Sequence, residues 1–354
     1  MTFSTSRRNI LRAGAGLALA AGLPYGQRAR AQSSVKQITV ADPGGAYQAA
    51  FRKAFYDPFE KATGIRVISA AREAEPTAQI RSMIATRSYT WDASILTQSA
   101  RDILLSQNLL EPLNLPPAAL ANYLPDAHAP MWMGTDVYAT VFAYRTDKYK
   151  SNAPQTWKDF WDVERFPGRR GMSKSPIDTL EQALLADGVP AGKLYPLDMD
   201  RAFKSLDRIK PHVAVWWAGG AQSAQIIESG EVDMVAIWNG RAQAVIDGGA
   251  PVKIVWNQGL YAIEGWGILK GGPRVDAARQ FVQFCADAQR QAAYTGSLAY
   301  GPPNKAAYQF IPAERAQVLP SSEQNIRQMS GEDSAWWTAN RAKAVERFNA
   351  WLLS

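Results

Sequence analysis

A chain of 354 residues, 47% hydrophobic and 20% charged, has the make-up of an ordinary globular protein with room for two domains. Its formal charge of +7 does not mark a nucleic-acid binder: residues 1–31 hold five arginines and no acid, so removing them leaves +2 and no dense basic run. One cysteine excludes an intrachain disulfide, and the two histidines, His128 and His212, lack metal-ligand spacing to each other or to it.

The first 31 residues read as an export signal. Arg7-Arg8 precede a mildly apolar run from Ala13 to Leu23, and Ala29-Arg30-Ala31 is a small-x-small cleavage signature. The paired arginines are those of a twin-arginine leader, which carries folded proteins outward. The apolar run is too short to span a bilayer, and no later stretch approaches the roughly 20 apolar residues that spanning requires. A soluble, exported, periplasmic protein is expected.

Beyond the leader, residues 38–41 read as a strand, 47–63 as a helix with Phe51, Phe55 and Phe59 every fourth residue, and 65–68 as a second strand. This βαβ unit starts a parallel sheet. A helix over 75–86, a strand at 93–96 and a helix over 99–107 follow. Residues 137–144 form a long strand, suited to pass between two lobes. Helices are expected at 157–161, capped by Thr156, at 178–186 and at 198–209, with strands at 213–216 and 232–238. Strands at 252–256 and 261–267 precede a closing α-helical region, in which Cys285 falls on the apolar face and Trp336-Trp337 anchor a helix in the core. The alternation defines an α/β protein of two lobes joined by at least two crossings, with strand ends facing one cleft.

Within this plan, residues 231–267 concentrate the chemistry. One apolar run ends in Trp238-Asn239-Gly240-Arg241, an indole, a tight turn and a guanidinium. The next places a lone carboxylate, Glu264, in a glycine-spaced apolar strand, which is costly unless a cation or hydrogen-bond donors meet it. An aromatic face and an acid on neighbouring strands are the parts of an ammonium pocket; a core indole and an acid solvated at a strand end are the alternative. Asp178 and Glu181 stand three apart at a helix start, where acids also suit the helix dipole. Trp217, in Trp216-Trp217-Ala218-Gly219-Gly220, offers an aromatic wall or a half-buried strand end. An enzyme has no visible constellation: there is no Gly-x-Ser-x-Gly, no phosphate-binding glycine loop and no paired nucleophile and base.

Ile38-Thr39-Val40, Phe59-Glu60-Lys61-Ala62-Thr63-Gly64-Ile65-Arg66-Val67, Trp91-Asp92, Pro154-Gln155-Thr156-Trp157, Ile237-Trp238-Asn239-Gly240 and Tyr300-Gly301-Pro302-Pro303-Asn304, in this order, resemble extracellular solute-binding proteins, and most specifically the spermidine/putrescine-binding proteins of ABC importers. The resemblance covers nearly the whole chain after the leader. It implies the type II periplasmic binding protein fold, closing on a small ligand and docking to a membrane permease. Carried over by position, it places Asp178, Glu181 and Glu264 on ammonium groups, Trp238 and Tyr300 on the carbon chain, and Thr97 at the rim. Three positions depart from the pattern. Only Tyr47 stands where the family has an aromatic pair, Ala262 replaces a tryptophan, and Arg241 replaces a small residue.

The expected organisation is a leader at 1–31, one lobe from 32–140 plus 266–320, a second lobe at 141–265 and a C-terminal helical segment at 321–354. The expected function is capture of a putrescine- or spermidine-class amine for an ABC permease, without metal or cofactor and as a monomer. The alternative is a zwitterion such as γ-aminobutyrate, held at its two ends by Arg241 and Glu264, since a guanidinium in the site repels a polycation by about 4 kcal/mol at ~4 Å. Thiamine, a metal or a sugar on the same fold are the remaining options.

Overall fold

Strand β1 (Gln37–Asp42) buries Ile38 and Val40 completely and pairs in parallel with β2 (Arg66–Ala71) and β3 (Ala93–Thr97). The computed structural model describes residues 35–73 and 75–354, so the export signal expected at 1–31 and its cleavage site lie outside the described residues. The helix joining β1 to β2 runs Gly45–Phe51, widens into a π turn at Arg52–Tyr56 and resumes at Asp57–Thr63, with Gly64 ending it in a left-handed conformation. Tyr47 stacks on Phe51 at 4.2 Å, and the Phe51 and Phe55 rings meet edge-on at 5.0 Å. These rings, with Phe59, Trp266 and Phe281, form the core of the first lobe.

A short strand β4 (His128–Ala129) pairs with the start of β5 (Trp132–Arg145). The second lobe contributes β6 (Arg170–Ser173), β7 (Val213–Trp217) and β8 (Met234–Trp238). The longest strand, β9 (Val252–Ile268), runs antiparallel to β5 from Val252 opposite Arg145 to Trp266 opposite Met133. One sheet therefore reads β2-β1-β3-β9-β5-β8-β6-β7, with β10 (Ser330–Gly331) added parallel to β9. Apolar clusters cover both faces of the second lobe's strands, Phe142 and Ala236 lying in one and Val141 and Ile237 in the other. The near-continuous apolar run of β8 suits that double burial.

Two strands carry the crossings. Val137 and Ile263 belong to the first lobe's core, whereas Phe142 and Val255, further along the same two strands, belong to the second lobe's. A third crossing runs through β10 into the helix Ser334–Leu353, whose Trp337, Ala344 and Phe348 are fully buried against the second lobe.

The sequence predicts two strands where β9 is one. The polar interruption Asn257-Gln258-Gly259 is a bulge inside the strand: pairing skips from Phe142–Val255 to Thr140–Leu260, and Gln258 takes a left-handed φ of 63°. The bulge is fastened from both sides. Trp157 donates its ring N–H to the Gln258 carbonyl at 2.9 Å, and the Gln258 amide donates to the Gln328 carbonyl at 2.8 Å.

Candidate functional site

Strand register assembles the site in rows across the crossing strands. Thr97, Glu264 and Asp136 stand side by side on β3, β9 and β5, and Trp238, Thr140 and Leu260 do so on β8, β5 and β9. Tyr138 and Ala262 form the row between them. With side chains alternating along a strand, all three rows point to one face of the sheet. Above that face lies a cavity of about 430 Å³, within the usual range for small-molecule sites.

The Trp238-Asn239-Gly240-Arg241 turn has a mechanical explanation. Asn239 is fully buried; its side-chain oxygen accepts from the Ala139 amide at 2.9 Å and its amino group donates to the Ala299 carbonyl at 2.6 Å. Gly240 lets the Tyr300 ring approach, since a Cβ there would lie 2.6 Å from it. Tyr300 in turn sits 5.9 Å from the Tyr138 ring. On the other side Trp238 meets Trp217 edge-on at 5.6 Å, and Trp217 is pinned by its ring N–H to the Ala236 carbonyl. These rings make apolar walls suited to a short carbon chain.

Asp178 is held in a rare conformation, with φ 65° and ψ −37°, just before the helix Thr179–Ala186. Its carboxylate does not cap that helix. It turns into the cavity and accepts from the Thr140 hydroxyl at 2.6 Å, with no cation paired to it among the described residues. Burial pushes its carboxyl up to about 6, against the pull of the Thr140 hydrogen bond. Backbone strain combined with an unpaired acid is a pattern of functional sites.

Glu264 is already met. Arg72, the residue after β2, donates to its carboxylate at 2.9 Å, and the two side chains are 3% and 12% exposed. The cation that sequence reasoning required for Glu264 thus comes from the chain itself. Beneath it, the fully buried Asp136 accepts from the Tyr47 hydroxyl at 2.7 Å, and burial together with the Glu264 charge raises its carboxyl well above the usual range. Arg241 is the reverse case. It lines the cavity beside Tyr300, makes no ion pair among the described residues, and its buried Nε has no acceptor.

Eight of the nine residues expected from sequence line this one cavity: Tyr47, Thr97, Asp178, Trp217, Trp238, Arg241, Glu264 and Tyr300. Glu181 does not. It accepts from the Tyr195 hydroxyl at 2.6 Å and the Trp337 ring N–H at 2.7 Å, and burial plus the Asp178 charge push it up to about 8. Spacing of three suggested a shared face, but Asp178 lies outside the helix that contains Glu181, so the two side chains diverge. Sequence reasoning missed five charged lining residues, Arg72, Glu75, Lys174, Glu332 and Arg341. Arg72 and Lys174 each directly follow a strand, β2 and β6, and lying just past a strand's carboxyl end is the signal that could have found them. Glu75 is paired to Arg341, on the C-terminal helix, at 2.6 Å.

A two-lobed α/β chain whose crossing strands floor a cavity lined with rings and charges is a substrate-binding protein of the periplasmic type, and it serves as the binding component of an ABC transporter. The chain belongs to the bacterial extracellular solute-binding protein family, whose pattern matches residues 54–320. It is 35% identical to the gamma-aminobutyric acid-binding protein of Pseudomonas aeruginosa over 93% of this chain and 94% of that one. An ABC transporter substrate-binding protein from Bradyrhizobium japonicum superposes with a TM-score of 0.83 at 38% identity, covering 89% of this chain and 99% of that one. The spermidine/putrescine-binding periplasmic protein of Escherichia coli is 25% identical over 50% of this chain and 51% of its own length. Among the described residues no helix is long and apolar enough to cross a membrane.

Proposed function

We propose that this chain is the periplasmic receptor for a short ω-amino acid of the γ-aminobutyrate class, exported by the twin-arginine route and delivering its ligand, as a monomer, to an ABC permease. The observation that carries this reading is the charge arrangement: Glu264 is closed by Arg72, while Arg241 has no carboxylate of its own among the described residues. The cavity lining holds four cations (Arg72, Lys174, Arg241, Arg341) and four acids (Glu75, Asp178, Glu264, Glu332), a balance that suits a net-neutral ligand. The ligand's carboxylate lies at Arg241, whose guanidinium can offer paired donors, and its ammonium lies at Asp178. Tyr138, Trp238 and Tyr300 cover the methylenes between. The lobes are those expected from sequence, 32–140 plus 266–320 and 141–265, and the division of apolar clusters along β5 and β9 supports it. The likeness to a γ-aminobutyrate-binding protein over the full length, against half-length likeness to polyamine binders, points the same way.

A diamine needs an open acid at each end of the cavity, and of the three acids expected from sequence Glu181 lies outside the cavity and Glu264 is closed by Arg72, which leaves Asp178. Calorimetric titration with γ-aminobutyrate and putrescine tests the assignment. Binding of γ-aminobutyrate at micromolar affinity or better, with putrescine at least 100-fold weaker, is the expected result. Tighter binding of putrescine would overturn it.

A further inference from the structure

Resting on that zwitterion reading, we propose that Glu332 is a second ammonium-binding carboxylate, which with Asp178 makes the site selective for primary amines over N-methylated ones. Glu332 reaches the cavity on the third crossing. Strand β10 lies parallel to β9 with Gly331 beside Tyr261, and the Glu332 amide donates to the Tyr261 carbonyl at 3.0 Å. Glu332 thereby arrives next to Ala262, whose neighbour on the other side is Tyr138. Glu332 and Tyr138, on either side of Ala262, both line the cavity.

Acids outweigh cations around Glu332, with Asp178, Glu181 and Glu75 against Arg341. The guanidinium on its own segment, Arg341, is engaged by Glu75 at 2.6 Å, and no cation lies within ion-pair distance of Glu332 among the described residues. Burial and the nearby Asp178 and Glu181 charges raise its carboxyl well above the ordinary range, against the pull of Arg341. A ligand cation relieves that. Asp178 uses one oxygen for the Thr140 hydroxyl and no donor among the described residues takes the other, so Asp178 and Glu332 together offer acceptors to a group with several N–H donors. A primary ammonium supplies three such donors. A trimethylammonium supplies none, and keeps only the attraction between charges and the ring contacts of the walls. Selection therefore rests on hydrogen bonds that a permethylated nitrogen cannot make.

The test compares γ-aminobutyrate with its N-trimethyl analogue by competition titration on the full-length mature protein, for wild type, Glu332→Gln and Glu332→Asp. The expected result is a wild-type preference of at least 100-fold for the primary amine. In Glu332→Gln both ligands lose the attraction of that charge, but γ-aminobutyrate weakens at least tenfold more than the trimethyl analogue, and Glu332→Asp recovers part of the preference. A merely structural role would weaken both ligands by one factor. That outcome, or unchanged binding of γ-aminobutyrate to Glu332→Gln, overturns the proposal while leaving the zwitterion reading intact. Failure of the wild type to bind any ω-amino acid overturns both.

Discussion

Replacing Arg241 by Met keeps most of the stem and removes the charge, and its effect should have opposite signs for two ligands. Arg241 is the lining guanidinium without an acid, and its Nε is buried with no acceptor. A carboxylate seated there gains charge-assisted hydrogen bonds, and stripping one partner from such a desolvated pair costs about 3–5 kcal/mol. At ~1.4 kcal/mol per tenfold, that is a loss of about 10²- to 10³-fold for γ-aminobutyrate. Putrescine should gain. Two like charges at an effective dielectric near 20 repel by about 4 kcal/mol at ~4 Å and ~2 kcal/mol at ~8 Å, so removing Arg241 should strengthen a diamine by roughly tenfold or more. Calorimetry of both ligands on both proteins reads the crossover directly. If the two affinities move in the same direction, or γ-aminobutyrate weakens less than about threefold, the assignment of Arg241 to the carboxylate is wrong.

Three further perturbations probe the surroundings. Glu264→Gln leaves the buried Arg72 guanidinium without its carboxylate, so the fold should weaken by about 3–5 kcal/mol, while γ-aminobutyrate affinity should stay within about tenfold of wild type; a large affinity loss with an unchanged melting temperature would place Glu264 on the ligand instead. Glu181 is a carboxyl raised from 4.5 to about 8, so its contribution to stability is full below pH 4.5 and is lost as pH rises through 8. Glu181→Gln, which can still accept from Tyr195 and Trp337, should therefore match wild type in urea at pH 4.5 and exceed it at pH 8.5, the gap growing by up to about 1.4 kcal/mol per pH unit; parallel stability curves would show that Glu181 stays ionised. Gly220→Ala would put a Cβ 2.9 Å from the Trp238 ring and from the Arg241 Nε, so overpacking of about 1–3 kcal/mol should come with weaker γ-aminobutyrate binding. Gly192→Ala, with nothing within 4 Å of the added carbon, is the control.

The architecture was legible because burial leaves a period in the sequence. The apolar runs of β1, β3, β5 and β8, the Thr156 cap, confirmed as a capping box with Asp159, and the buried Cys285 could all be read locally. Aromatic and acidic side chains on β8, on β9 and in the loop before Gly301 could be read too, and Trp238, Glu264 and Tyr300 all line one cavity. What could not be read was pairing over distance. Arg72 and Glu264 are 192 residues apart in sequence, and nothing near either reveals that the strand end after β2 faces β9. The spacing of Asp178 and Glu181 misled for a local reason: a left-handed residue before a helix breaks the i, i+3 relation that holds only inside it.

The position of the charges explains why a ligand with two charged ends is the one that this fold can register. Tyr138 and Ala262 sit on the paired crossing strands, so opening the lobes cannot separate the cavity floor. What can separate are the walls. Arg72 follows β2 in the first lobe, whereas Asp178 and Arg241 extend from elements of the second, and Arg341 reaches Glu75 from a helix packed on the second lobe. A ligand shifts the equilibrium towards the closed form only by contacts that it makes better there. Under the proposed reading, a simple amine satisfies Asp178 from one wall and leaves Arg241 without an acceptor among the described residues. A carboxylate at the far end of the same molecule supplies that acceptor. Closure then depends on both ends being present and on the chain between them having the right length.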